Sequence, residues 1–250
     1  MNSHRFFLQP EVFNQTEIVF PAAPAHQINS VLRLKRGQTV TVLDNLGNCR
    51  SVILDEIDNR HVTGSANEIQ PAPGEPKVRL ILCPALTQRE KFEWILQKGC
   101  ELGVSEFRPL LTSRTLSQDP MGWEIKLSRW QMILQEAAEQ CGRGIIPTVY
   151  LPQWFEKVIE QLGSAPGIIL HEKEQTTGLV TALSTLNKST ALLVGPEGGF
   201  SDEEVKLAAD AGLQPASLGV RVLRMETAAV AACAVFMAAT GELGDMTISG

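Results

Sequence analysis

The 250-residue sequence has no long hydrophobic run, no paired cysteine motif and no excess of positive charge. Its most apolar stretch, residues 228–239, is shorter than the ~20 residues that a membrane-spanning helix needs. The first residues contain no apolar segment of the signal-peptide type, so we expect no signal peptide. The five cysteines are scattered without a CxxC pair, which predicts reduced thiols in a cytoplasmic protein and no structural metal.

The net charge of −6 gives no sign that the protein as a whole attracts nucleic acid. Any such partner would have to be bound by a local basic surface. Phosphate-binding motifs are also absent, since the chain contains neither GxxxxGK[ST] nor GxGxxG. A P-loop nucleotidase and a GxGxxG dinucleotide enzyme are therefore disfavoured.

The composition changes once along the chain, at the proline-rich segment QPAPGEPK (residues 70–77). Prolines and a glycine in so short a stretch interrupt helix and sheet, as in a linker. We place the boundary of two domains there, at 1–72 and 73–250. Before it, TVTVL and CRSVIL flank the turn DNLGN, which predicts a β-hairpin within a small β-barrel.

After the boundary, short apolar runs alternate with helical patterns, which favours an α/β domain with a mostly parallel sheet. Two helices are predicted, over residues 88–102 and 124–141, each with one apolar face. The predicted strands cover residues 78–83, 107–111, 145–150, 167–171, 191–194 and 215–218. Ligands of such sheets bind at the carboxyl ends of the strands.

The segment ALLVGPEGGFSDEE (residues 191–204) reads as a strand, a glycine-rich loop and a helix start. Ser201 and Glu204 have the spacing of a capping box, so a helix is expected from Asp202. Glu197 stands where a P-loop has its lysine and would repel phosphate. A glycine-rich connector would look the same, but a ligand in this loop would be neutral or cationic, such as a nucleoside or a sulfonium.

A second loop, SLGVRVLRMETAA (residues 217–229), follows the next predicted strand. It carries Arg221, Arg224 and Glu226 among apolar and small residues. Glu226 and Thr227 could simply cap the last helix. Two glycine-bearing loops with polar tips after neighbouring strands are nonetheless typical of two walls of one pocket.

Together, LLVGPEGGFSDEE and LGVRVLRMETA resemble the RsmE family, the small-subunit (16S) rRNA uridine-N3 methyltransferases of the SPOUT class. The resemblance covers nearly the whole chain. Further matching segments are RFF at 5–7, HQINSVLRLKRG at 26–37, EKFEWILQKGCELGV at 90–104, TSRT at 112–115 and EAAEQCGR at 136–143. Gln27, Cys141 and Met225 depart from the family pattern, but no charged motif residue is lost.

The resemblance implies a SPOUT-type parallel sheet with a trefoil knot, preceded by a PUA-like β-barrel that binds RNA. It also implies S-adenosylmethionine as cofactor, 16S rRNA or the small ribosomal subunit as partner, and a homodimer with the final helix in its interface. A monomer core helix would show the same apolar pattern over 228–239. The cofactor residues expected on this basis are Leu193, Gly195, Pro196, Glu197, Gly198, Leu218, Gly219, Leu223, Thr227 and Ala228.

Methylation of uridine N3 requires a base for its proton or a cation for the uracil anion. His171 ends a predicted strand and is more simply a polar strand terminus. Arg224 is one candidate cation. The other is Arg143, which shares a predicted helical face with Arg129, Glu136 and Gln140 and, on the resemblance, could enter the site from the partner subunit.

RNA binding would depend on local basic residues. Arg33, Lys35 and Arg36 cluster beside a β-like segment, Arg5 adjoins two phenylalanines, and Lys91 and Lys98 share one helical face. Arg114 follows a strand. Phosphate contacts from such groups make affinity salt-dependent, although each residue alone would be an ordinary solvated charge.

Two other functions stay open at this level. A catalytically silent ribosome assembly factor on the same fold would keep the basic barrel and lose the cofactor pocket. An unrelated α/β enzyme would bind a nucleotide without methyl transfer, against which the missing phosphate motifs count.

Overall fold

The computed structural model describes residues 4–58, 61–115, 122–184 and 189–244. The chain divides into two compact units. The first contains Met1–Glu75 and Gln135–Ile146, and the second contains Pro76–Leu134 and Pro147–Gly250. The first unit is thus discontinuous in sequence, a feature that the proline-rich boundary did not suggest.

The first unit consists of a six-stranded sheet and short helical segments. Its strands are β1 (Arg5–Phe7), β2 (Glu17–Val19), β3 (Thr39–Leu43), β4 (Asn48–Ile57), β5 (Val62–Ala66) and β6 (Gln70–Pro71). Its helical segments are α1 (Pro10–Phe13), α2 (Ala22–His26) and a π-helical turn (Gln27–Val31).

The strands pair in the order β1-β3-β4-β5-β2, with β6 alongside β4. The predicted β3–β4 hairpin is present, and Asp44 holds its turn by accepting hydrogen bonds from the amides of Leu46 (2.7 Å) and Asn48 (2.9 Å). Alternate side chains of the hairpin enter the core: Val40, Val42, Val52 and Leu54. Among the described residues the path of strands stays open, so no closed barrel is found.

The proline-rich segment is fixed in this unit as far as Glu75. The Glu75 carboxylate accepts hydrogen bonds from Arg143 Nη2 (2.8 Å) and from the amide of Ile145 (3.1 Å). A Cβ on Gly74 would lie 2.5 Å from the carbonyl oxygen of Gly142, so only glycine allows the two backbone segments to approach this closely. Residues 70–75 are therefore part of the packed unit.

The described residues of the second unit form eight strands and the larger helices. The strands are β7 (Arg79–Pro84), β8 (Glu106–Phe107), β9 (Leu110–Leu111), β10 (Thr148–Val149), β11 (Gln153–Trp154), β12 (Gly167–Leu170), β13 (Ser189–Val194) and β14 (Gln214–Ala216). The helices are α3 (Arg89–Glu101), α4 (Trp123–Cys141), α5 (Phe155–Leu162), α6 (Leu179–Leu183), α7 (Asp202–Asp210) and α8 (Met225–Ala239). The last seven residues of α4 belong to the first unit.

The predicted α/β architecture is confirmed. The main sheet has the order β10-β8-β7-β13-β12-β14, and every described ladder in it is parallel. The predicted strand over 107–111 is two short strands, of which β9 pairs with β11 in a separate ladder. Because β13, β12 and β14 are neighbours, their carboxyl ends meet at one edge of the sheet.

Helices α3 and α4 pack through the apolar faces that the sequence predicts. Phe92 and Trp130 contact each other with ring centroids 4.7 Å apart, and Ile95, Leu96 and Leu134 are fully buried. Glu93 of α3 also binds two arginines. Arg129 of α4 donates to it through Nε (2.5 Å) and Nη2 (2.8 Å), and Arg89 of α3 donates through Nε (2.8 Å).

The ion pairs of Glu93 should make stability depend on pH. The hydrogen bonds from Arg129 lower the pKa of Glu93 to about 2, below its ordinary value. A depressed carboxyl pKa stabilises the fold above the unfolded-state pKa of about 4.3, and this stability is lost as pH falls toward 2. Since both arginines are solvent-exposed, we expect Glu93→Gln to cost only about 1–2 kcal/mol at pH 7.

Urea unfolding between pH 7 and pH 3 measures this effect. The difference between wild type and Glu93→Gln should shrink steadily below pH 4.3. Glu160→Gln is the matched control because Glu160 forms a fully exposed pair with Lys157, and it should change stability little at any pH. A Glu93→Gln effect that is independent of pH would contradict the ion-pair origin.

Candidate functional site

A cavity of about 880 Å³ lies at the carboxyl ends of β12, β13 and β14. Its volume is within the range of small-molecule sites, about 300–1,000 Å³. Three loops that follow these strands form its walls, and Lys91 of α3 reaches it from the side; we call it the loop cavity. Its lining residues are Lys91, Leu170, His171, Glu172, Glu174, Gln175, Thr177, Gly178, Val194, Gly195, Pro196, Glu197, Gly199, Phe200, Ser217, Leu218, Gly219, Val220, Arg221, Val222, Leu223, Arg224, Met225, Glu226 and Ala228.

The first wall is the loop after β13, GPEGGF. A Cβ on Gly195 would lie 3.1 Å from the Phe200 amide nitrogen, and Gly199 has a positive φ of 70°, so the tight turn requires glycine. The capping box predicted for α7 is confirmed: Ser201 Oγ accepts from the Glu204 amide, and the Glu204 carboxylate accepts from the Ser201 amide.

Glu197 in this wall binds protein groups at the cavity edge. Its Oε1 accepts hydrogen bonds from Thr87 Oγ1 (2.7 Å) and Lys91 Nζ (2.9 Å). Partial burial raises the pKa of Glu197, but the hydrogen bonds from Lys91 and Thr87 outweigh it and hold the pKa below its usual value. Glu197 is thus an ionised carboxylate facing the cavity, already partly neutralised by Lys91.

The second wall is the loop between β14 and α8. Ser217 Oγ accepts a hydrogen bond from the amide of Gly219 (3.1 Å), and Gly219 has a positive φ of 103°. Arg224 is the N-terminal cap residue of α8, and its side chain makes no capping hydrogen bond. The helix begins at Met225, three residues before the apolar stretch 228–239 of the sequence. Its start brings Arg224 and Glu226 to the cavity.

Glu226 carries a buried polar atom with no partner. Its Oε2 is inaccessible to solvent and makes no hydrogen bond to any residue that the structure describes. Buried polar atoms are nearly always hydrogen-bonded, so an orphaned carboxylate oxygen beside a cavity indicates a ligand that donates to it.

The third wall, residues 170–178, was missed by sequence reasoning apart from His171. Glu174 Oε1 holds its turn by accepting from the amides of Thr176 (2.7 Å) and Thr177 (3.0 Å). The amide of Ser217 donates to the carbonyl of Thr177 (2.9 Å), which joins this wall to the second one. The available signal was positional: a polar segment directly after a strand at the ligand-binding edge.

Most residues expected to bind the cofactor line the loop cavity: Gly195, Pro196, Glu197, Leu218, Gly219, Leu223 and Ala228. The other three do not. Leu193 is fully buried inside β13, Gly198 lies against Arg114, and Thr227 is on the exposed side of α8. The sequence motifs identify the loops that form the walls. Whether a given residue faces the cavity depends on the conformation of the turn.

The structure corrects the geometry predicted for Arg143. Helix α4 ends at Cys141, and Gly142 with a φ of 86° turns the chain, so Arg143 does not continue the predicted helical face. Its side chain is 2% exposed in the first unit, where it binds Glu75. Arg143 is not among the described residues that line the loop cavity.

The seven residues expected to bind RNA separate into two groups. Arg33, Lys35 and Arg36 are exposed in the loop before β3, and within the described part of the chain they form no ion pair. The other four contact protein groups: Arg5 donates to the carbonyls of Glu139 and Gln140, Lys98 pairs with Glu101, Lys91 with Glu197, and Arg114 donates to the carbonyls of Gly198 and Phe200.

The charges around the loop cavity suit a ligand with a cationic part. Four glutamates line it, Glu172, Glu174, Glu197 and Glu226, against three basic residues, Lys91, Arg221 and Arg224, and no lysine occupies the phosphate position of a P-loop. Within the described ranges, no cluster of His, Cys, Asp and Glu could hold a metal ion. No described helix combines the length and the apolar character needed to cross a membrane.

Comparison with known proteins gives consistent matches over this chain. The family model described as an RNA methyltransferase domain matches residues 74–237. A ribosomal RNA small subunit methyltransferase E from Synechocystis sp. is 34% identical over 236 residues, which cover 93% of this chain and 76% of that protein.

Two solved structures have the same fold and contain the cofactor. A methyltransferase from Legionella pneumophila in complex with S-adenosylmethionine is 29% identical with a TM-score of 0.85, covering 96% of this chain and 98% of that one. A ribosomal RNA small subunit methyltransferase E from Neisseria gonorrhoeae, bound to S-adenosylmethionine, is 25% identical with a TM-score of 0.83, covering 94% and 97%.

Proposed function

The chain belongs to the RNA methyltransferase family, in the group of ribosomal RNA small subunit methyltransferases E, and we propose that it methylates N3 of a uridine in 16S rRNA. S-adenosylmethionine is the methyl donor of this proposal. The observation that carries it is the loop cavity, because both family motifs and an orphaned carboxylate meet at the carboxyl ends of three adjacent parallel strands.

The residues of the loop cavity fit this cofactor. Gly195 allows the tight turn of the first wall, Gly219 has open space where a Cβ would lie, and Leu218 and Leu223 provide apolar contact surface. Glu226 Oε2 requires a hydrogen-bond donor, and the cofactor offers amine and hydroxyl groups. The sulfonium supplies the electrophilic methyl group, and the carboxylates of the cavity favour its positive charge.

For the reaction, the protein must position the uracil ring and stabilise its deprotonated form. Arg224 is the proposed cation, since it lines the loop cavity and its side chain caps no helix. A guanidinium directed at the uracil oxygens lowers the free energy of the anion that forms when N3 loses its proton. Arg143 is assigned a structural role in the first unit because its ion pair with Glu75 is buried.

RNA binding is proposed for the first unit, as a PUA-like domain, through the exposed loop that carries Arg33, Lys35 and Arg36. Cations that form no ion pair with another described residue are available for phosphate contacts. We further propose that the loops around the cavity form a trefoil knot, that α8 mediates a homodimer, and that the enzyme acts in the cytoplasm, in keeping with cysteines that form no disulfide.

Incubation with methyl-labelled S-adenosylmethionine and unmodified small subunits tests the function. The expected product is one labelled N3-methyluridine in 16S rRNA, located by nuclease digestion and mass spectrometry. Binding of the subunit without methyl transfer would support the silent assembly factor. Calorimetry of the protein with S-adenosylmethionine and with ATP separates methyl transfer from a nucleotide-binding function.

Replacing Glu226 by glutamine should weaken S-adenosylmethionine binding about tenfold, close to 1.4 kcal/mol. Glutamine keeps the size and one acceptor but removes the charge that strengthens the hydrogen bond. Isothermal calorimetry measures the change. Glu172→Gln is the control because it removes the same charge from the same cavity, and it should change Kd by less than about threefold. Equal losses in the two variants would contradict a specific role for Glu226.

A further inference from the structure

The turn TSRT, Thr112–Thr115, is joined to the GPEGGF loop by several hydrogen bonds. Arg114 Nη1 donates to the carbonyl oxygens of Gly198 (2.6 Å) and Phe200 (3.3 Å). These carbonyls belong to the first wall of the loop cavity, although the Arg114 side chain itself is not among the described residues lining it.

A second contact joins the same two segments. Glu204 is 7% exposed, and its carboxylate accepts from the amide of Ser113 through Oε1 and from the amide of Ser201 through Oε2, both at 2.8 Å. The capping carboxylate of α7 thus bridges the turn and the end of the cofactor loop. Such a group is held from both sides by charge-assisted hydrogen bonds.

The turn is held by internal hydrogen bonds. Thr112 and Thr115 are buried, the amide of Thr112 donates to Thr115 Oγ1 (2.9 Å), and the amide of Thr115 donates to the carbonyl of Thr112 (3.1 Å). Arg114 therefore extends from a hydrogen-bonded turn toward a loop in which three of six residues are glycine, a residue with high conformational freedom.

We propose that Arg114 is a positioning residue that holds the GPEGGF loop in its ligand-binding conformation, with Glu204 as the second point of attachment. This inference rests on the proposed cofactor site and replaces the phosphate contact expected for Arg114 from sequence. A loop that reaches its binding conformation only part of the time binds more weakly in proportion to that fraction.

The test compares wild type with Arg114→Ala, Arg114→Lys and Lys206→Ala. Arg114→Ala should raise the Kd for S-adenosylmethionine about tenfold in calorimetry. It should also accelerate amide hydrogen exchange at residues 197–200 to a similar extent, without cofactor present. Arg114→Lys retains a donor for one carbonyl and should restore Kd to within about threefold of wild type.

Lys206→Ala is the matched control. It removes an exposed cation of α7 that pairs with Asp210 of the same helix, and neither residue lines the loop cavity, so Kd and exchange should stay near wild type. Urea unfolding of Arg114→Ala should give nearly wild-type global stability, because Arg114 is exposed. A parallel loss in global stability and in exchange protection over the whole unit would overturn the local role.

Two further outcomes separate this inference from the proposed function. If wild type fails to bind S-adenosylmethionine while Arg114→Ala still loses exchange protection, the cofactor assignment fails and the loop attachment holds. If Arg114→Ala keeps wild-type exchange and Kd but binds rRNA with a smaller salt dependence, Arg114 is a phosphate contact and the inference is overturned.

Discussion

Replacing Arg224 by alanine is expected to reduce kcat about 10²–10³-fold and to change the Kd for S-adenosylmethionine only a few-fold. The reason is that a preorganised cation acts mainly on the charge that develops on the uracil ring, and contributes less to binding of the ground state. Arg224 lies at the start of α8, whose fully buried residues fix the helix in the second unit.

Single-turnover methylation of small subunits at saturating cofactor measures the rate constant of methyl transfer without a contribution from product release. Arg221→Ala is the matched control, since it removes the same charge from the same loop. A long-range electrostatic effect would lower the rate in both variants alike. The deficit in rate of Arg224→Ala relative to wild type should also become smaller at high pH, because uracil N3 ionises there without assistance. An unchanged kcat in Arg224→Ala would remove Arg224 from the mechanism.

Replacing Arg143 by methionine is expected to destabilise the fold by about 3–5 kcal/mol, the usual cost of leaving one member of a buried ion pair uncompensated. Glu75 would lose its hydrogen bonds at 2.8 and 3.4 Å and retain the one from the Ile145 amide. The loss should be visible as a lower urea midpoint with an unchanged m value.

The double variant Glu75→Gln with Arg143→Met separates a structural role from a catalytic one. Removing both charges should recover part of the lost stability, because the cost of a single variant includes the orphaned partner. Methyl transfer by the folded fraction of the double variant should stay within about tenfold of wild type. A loss of kcat as large as that of Arg224→Ala, in protein that is folded, would instead make Arg143 part of the chemistry.

Local patterns were enough to predict the first wall of the site. Ser201 and Glu204 are three residues apart, and both hydrogen bonds of a capping box lie within one helical turn, so the start of α7 followed from sequence. The parallel sheet was equally predictable, because alternation of apolar runs and helical faces reports directly on burial. The order of its strands was not predicted, since pairing across the sheet leaves no local signal.

Arg143 shows why contacts between distant parts of the sequence could not be predicted. Its partner Glu75 is 68 positions earlier in the sequence, inside a segment whose prolines suggested a linker. Helical spacing placed Arg143 on a polar face only by assuming that α4 continues past Gly142. The orphaned oxygen of Glu226 and the third wall of the cavity are likewise products of tertiary packing, which periodicity does not report.

The division of the first unit between Met1–Glu75 and Gln135–Ile146 has a consequence for the order of events during synthesis. A nascent chain that has emerged only to residue 75 contains Glu75 without Arg143 and lacks the carbonyls that accept from Arg5. Domains commonly fold from the amino terminus as the ribosome elongates them. Here the contacts from residues 135–146 can form only after more than half of the chain has been translated, so the amino-terminal sheet and its core have to hold without them for that interval.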